Sequence, residues 1–80
     1  MKLRQIEQRE GYRFRLIFEN GEVWEADLQG LIGQHVPEAV LPSARIDPDW
    51  GCLEFLEPLA DVEPKTLYRF VCSQHNRLAA

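Results

Sequence analysis

The constraint that most limits the fold of this chain is the pair Asn20-Gly21, set between two segments whose apolar residues fall at alternate positions. Tyr12, Phe14, Leu16 and Phe18 interleave with Arg13, Arg15 and Ile17, the period-2 signature of a strand buried on one face. A strand slipped by one residue turns every side chain to the other face, so loop length can be decided by testing registers. A two-residue Asn20-Gly21 turn pairs Leu16 with Glu25 and Phe14 with Asp27, which sets carboxylates among apolar residues. A three-residue loop, Glu19-Asn20-Gly21 with Gly21 left-handed, instead pairs Leu16 with Trp24, Phe14 with Ala26 and Tyr12 with Leu28. The other face then carries Ile17 with Val23, Arg15 with Glu25 and Arg13 with Asp27. That register satisfies every position, so it is the one predicted. It also disposes of Arg13 and Arg15 as an anion-binding pair: they become cross-strand ion pairs on a solvated face, worth a few tenths of a kcal/mol each.

Ahead of the hairpin, Lys2–Glu7 reads as a further strand, joined through a turn at Arg9-Glu10-Gly11. Its mixed alternation suits a sheet edge. After Asp27, Leu28–Gly33 is too short and glycine-rich for more than one helical turn, and a loop follows through Pro37 and Pro42. A second hairpin joins Ala44–Ile46 to Cys52–Leu56 around Asp47-Pro48-Asp49-Trp50-Gly51, a run of turn formers. Asp47-x-Asp49 has the beginnings of a calcium loop, but its glycine comes one position early and no glutamate closes the loop. The last element is a helix with Pro64 at its first position, Asp61 and Glu63 against the positive end of its dipole, and Leu67, Phe70, Val71 and Leu78 at helical spacing. Fraying is expected beyond Cys72, where the residues turn polar. The expected fold is a single α+β domain over residues 1–80, a small antiparallel sheet (the N-terminal meander and the second hairpin) packed against the C-terminal helix.

Eighty residues exclude a second domain, and no apolar run approaches a membrane span or a secretory signal, so the expected compartment is the cytosol. Cys52 and Cys72 form no CxxC and have no histidine at ligand spacing, which excludes a structural zinc site and reads as two small buried hydrophobes. Net charge is −4 and unevenly placed. Residues 1–15 carry Lys2, Arg4, Arg9, Arg13 and Arg15 against Glu7 and Glu10. In residues 38–63, Glu38, Asp47, Asp49, Glu54, Glu57, Asp61 and Glu63 face only Arg45, a poor surface for phosphates; direct nucleic-acid binding is therefore not expected.

No catalytic constellation emerges. His35 lies in a loop and His75 near a fraying end, Ser43 and Ser73 lack nucleophile-elbow glycines, and Gly30 and Gly33 lack the lysine of a phosphate cradle. Neither Glu54 with Glu57 nor Asp61 with Glu63 is set by the sequence in surroundings that would split their pKa values. What remains is contact surface. Trp24 falls on the core face, whereas Trp50 sits in a tight acidic turn. Folding back over the sheet as a lid is the slightly favoured disposition for Trp50; left exposed, it becomes a binding anchor.

Three stretches resemble a family of small bacterial proteins catalogued as domain of unknown function 2442: Gly11–Gly21 ending in Asp27-Leu28, then Ala44-Arg45-Ile46-Asp47, then Ala60–Tyr68. Phe55 stands where tryptophan is usual in that family, and Leu56–Leu59 replaces a shorter glycine-containing turn. The resemblance implies no catalysis; it implies a regulatory or antitoxin-like accessory role through protein contacts. The leading expectation is a non-enzymatic protein-binding module without metal or cofactor, an antitoxin-like neutraliser or acidic inhibitor of a basic nucleic-acid-handling protein. Its contact residues would be Asp47, Asp49, Trp50, Glu54 and Glu57. The alternative is a homo-oligomeric regulatory domain pairing through its edge strand, residues 2–7. An enzyme would require Glu54, His35 or another polar residue to converge in a buried pocket.

Overall fold

The computed structural model describes the backbone of residues 2–56 and 59–79 and the side chains of residues 2–56 and 60–74. Strands β1 (Leu3–Glu10), β2 (Arg13–Phe18) and β3 (Val23–Asp27) form one antiparallel sheet in that spatial order. The β2–β3 register is the predicted one, with Phe14 opposite Ala26, Leu16 opposite Trp24 and Ile17 opposite Val23. Phe18 N–H donates to Glu22 O at 3.0 Å, and Gly21, at φ +87°, closes the three-residue loop. That left-handed angle is the reason for glycine there. β1 runs three residues past the expected Glu7 and carries register shifts between Leu3 and Gln5 and between Gln8 and Glu10. Bulges of this kind absorb an extra residue, which accounts for the strand's mixed alternation.

A single helical turn, α1 (Gln29–Ile32), follows as expected, started by Asp27 Oδ1 accepting from Gln29 N–H at 2.9 Å. The segment expected to be loop contains a 3₁₀ helix, Glu38–Ser43, because Leu41 is buried and Ser43 Oγ donates to Val40 O at 2.7 Å. Strands β4 (Arg45–Ile46) and β5 (Leu53–Leu56) form the second hairpin. Strand β6 (Leu59–Val62), not expected from the sequence, pairs antiparallel with β5 and makes a second three-stranded sheet where one sheet was expected. Helix α2 (Pro64–Ala79) begins at Pro64, with Leu67 N–H donating to Glu63 O at 3.0 Å, and continues through the segment expected to fray. The side chains of His75 and Leu78 lie outside the described residues.

The core lies between these layers. Phe14, Leu16 and Phe18 from the first sheet, Leu53 and Phe55 from the second, and Leu67 and Val71 from α2 are all fully buried. Phe14 and Phe55 meet edge to face with centroids 6.5 Å apart, joining the two sheets. Helix α2 is fastened to β3 by Gln74, whose Nε2 donates to Asp27 O at 2.9 Å while its Oε1 accepts from Asp27 N–H at 3.1 Å. The side-chain amide thus takes the place of a neighbouring strand at that edge. Cys52 and Cys72 are free thiols and half-buried, less enclosed than expected.

Candidate protein-binding face

The turn between β4 and β5 is built by Asp47. Its N–H donates to Cys52 O at 2.9 Å, its carbonyl accepts from Gly51 N–H at 2.8 Å, and its Oδ1 accepts from Asp49 N–H at 2.9 Å. Gly51 has φ +69° and lies against Lys2: a Cβ placed on it would be 2.4 Å from the Cβ of Lys2. Leu3 N–H donates to Gly51 O at 3.1 Å, binding the turn to the start of β1. Trp50 does not fold back as a lid. Lys2 lies against Gly51, and the indole projects into solvent, 73% exposed.

Trp50 borders a groove of about 560 Å³ whose other walls come from distant segments: Asp61 at the end of β6, Glu63 and Pro64 at the start of α2, and Lys2 and Lys65. Cys52 also lines it. Burial pushes the Cys52 thiol upward, reinforced by the surrounding carboxylates of Asp61, Asp47, Glu63 and Glu54. The thiol is thus held protonated, the unreactive form. Among the described residues no group of three His, Cys, Asp or Glu side chains is placed to hold a metal ion.

Of the five predicted contact residues, Asp49 and Trp50 are exposed beside one another. Asp47 is half-buried and engaged in building the turn. Glu54 accepts from Arg45 Nε at 2.8 Å with its side chain only 14% exposed, so it is a partner of Arg45 before it is a contact residue. Glu57 lies outside the described residues. Tertiary folding also brings Lys2 and Lys65 to this face, so its acidic excess is smaller than the linear run 38–63 suggests. Nothing local in the sequence signalled that approach.

On the outer face of the first sheet the register places Arg15 between Glu7 and Glu25, and Arg13 between Glu10 and Asp27. Arg13 Nε reaches Glu25 Oε1 at 3.1 Å instead of the expected Asp27, whose carboxylate starts α1. The arginine strand is thus flanked by acids on both sides, which opposes phosphate binding. His35 is exposed, and Ser43 Oγ is tied between Val40 O and Leu56 N–H.

One constellation has no local signature in the sequence. Tyr68 Oη and Trp24 Nε1 both donate to Glu22 Oε1, at 2.7 and 3.0 Å, and Tyr68 packs edge to face on Phe18 and Trp24. The Glu22 hydrogen bond and a smaller contribution from burial push the Tyr68 phenol up to about 12. The same bond, with that from Trp24, lowers the Glu22 carboxyl. These residues join α2 to the first hairpin across 46 positions of sequence, so no spacing rule could have found them.

Comparison with protein-family models, curated proteins and solved structures gave no match.

Proposed function

We propose that this chain is a non-catalytic protein-binding module, an antitoxin-like or inhibitory accessory protein of the cytosol that acts on a basic nucleic-acid-handling protein without touching nucleic acid itself. The observation that carries the reading is Trp50, a large aromatic left 73% exposed on a hydrogen-bonded turn, at the border of a groove that Asp61 and Glu63 line together with Lys2 and Lys65. An exposed tryptophan of this kind forfeits burial energy in the free protein and recovers it in a complex. The resemblance to domain of unknown function 2442 belongs to the same reading. The homo-oligomer alternative has less support, because the outward side of β1 is already engaged at its start, where Leu3 N–H donates to Gly51 O at 3.1 Å.

The test is light scattering on the chain co-expressed with the proteins encoded beside it. A neighbour should co-elute in a defined ratio with the parent chain and be lost with Trp50→Ala. A neighbour retained at full stoichiometry by Trp50→Ala would remove Trp50 from the interface.

A further inference from the structure

The pairing pattern of the second sheet shows which backbone groups remain available. In an antiparallel ladder, residues alternate between pointing their N–H and C=O at one neighbour and at the other. Asp47 N–H bonds Cys52 O, so Cys52 and, two residues on, Glu54 point toward β4. Leu56 N–H bonds Ser43 Oγ, on that same side. Leu53 and Phe55 consequently point toward β6, where they meet Val62 and Ala60. The backbone groups of Leu59 and Asp61 are left pointing outward, away from β5, and among the described residues no further strand lies on that side of β6. At two other edges single residues are met from outside, Asp27 of β3 by the Gln74 amide and Leu3 of β1 by Gly51. Asp61 is exposed and lines the groove that Trp50 borders.

Resting on the protein-binding reading, we infer that the outer edge of β6 accepts an extended segment of a partner protein by strand addition, with an arginine or lysine of that segment beside Asp61 and near Trp50. Main-chain hydrogen bonds to an open edge supply affinity, and the side chains at alternate positions supply the choice of partner. A residue directly opposite Asp61 lies on the same face as its carboxylate, where an opposite charge is favoured and a like charge opposed. Trp50 offers a ring face to the same cation. A second copy of this chain is the poorer occupant, since it would bring the acidic strand of Asp61 and Glu63 against itself.

The experiment uses the intact chain and three synthetic ten-residue peptides rich in Thr and Val. One carries a central arginine, one a glutamate in its place, and one the arginine with its backbone nitrogens methylated at alternate positions. Binding is followed by Trp50 fluorescence, with Trp24→Phe removing the other tryptophan, and by hydrogen exchange at the Asp61 amide. The arginine peptide should bind and protect that amide, the glutamate peptide should bind about tenfold more weakly, and the methylated peptide should fail to bind. Asp61→Asn should narrow the difference between the first two. Equal binding by the methylated peptide, or no binding by any peptide at millimolar concentration, overturns strand addition. Protection of the Asp61 amide that rises with protein concentration alone assigns the edge to a second copy and also overturns it. A neighbour protein held through Trp50 but leaving the Asp61 amide unprotected would refute this inference while leaving the protein-binding reading intact.

Discussion

Gly51→Ala tests how the Trp50 turn is held, and Gly21→Ala supplies its control. Both glycines have positive φ, at +69° and +87°, so an alanine at either meets the left-handed penalty of roughly 1–2 kcal/mol. At Gly21 nothing lies within 4 Å of the added Cβ, and the loss should stop there. At Gly51 the added Cβ would be 2.4 Å from Lys2 Cβ, 2.8 Å from its Cγ and 3.0 Å from its Cα. The Cα is main chain and cannot swing aside, so the chain leading into β1 must shift, which adds an overpacking cost of about 1–3 kcal/mol. Gly51→Ala should therefore lose about 3 kcal/mol in all, a large part of the ~4–12 kcal/mol expected for a domain of this size. Urea unfolding with unchanged m-value is the assay; with m near 1 kcal/mol per molar, midpoints should fall by about 3 M at Gly51 and about 1.5 M at Gly21. Lys2→Gly in the Gly51→Ala background should recover part of the difference, since the two nearest atoms disappear. Equal losses at the two glycines would refute the argument that Lys2 packs under the turn.

Trp50→Ala should leave stability within about 0.5 kcal/mol of the parent in the same urea assay, because the side chain is 73% exposed. Gln74→Ala removes both hydrogen bonds to Asp27 and should cost about 1–2 kcal/mol, with faster hydrogen exchange at the Asp27 amide. The Glu22–Tyr68 bond predicts two pH effects of opposite sense. Tyr68 titrates higher in the folded state than its ordinary value of 10, so its contribution is complete below that pH and fades as pH rises toward 12. Glu22 titrates lower than its ordinary 4.5, so its contribution is present above that pH and is lost on acidification through the lowered value. Glu22→Gln should abolish the acid-side effect and return Tyr68 toward its ordinary range by tyrosinate absorbance; an unshifted Tyr68 would show that the bond is not formed in solution.

The residues that could be read from sequence are those whose constraint is local or periodic. Pro64 marked the start of α2 because proline at a first helical position lacks only a donor the helix does not use. β6 was not legible: its four residues include Asp61, the run carries no alternation long enough to read, and only β5 alongside makes it a strand. Of the candidate site, Trp50 and its turn were visible as residue types, but Asp61, Glu63, Lys2 and Lys65 could not be assembled around them from spacing.

By itself the sequence determined the register of the first hairpin, because the two-fold alternation of a strand leaves one loop length that keeps Glu25 and Asp27 out of the core. It also determined the one-turn α1 and the start of α2. Tertiary structure alone decided where Trp50 points, which acids remain exposed once Arg45 has taken Glu54, and which edge of β6 stays open. Those outcomes depend on contacts between segments far apart in the chain, Lys2 with Gly51 and Gln74 with Asp27, and no local preference encodes such a meeting.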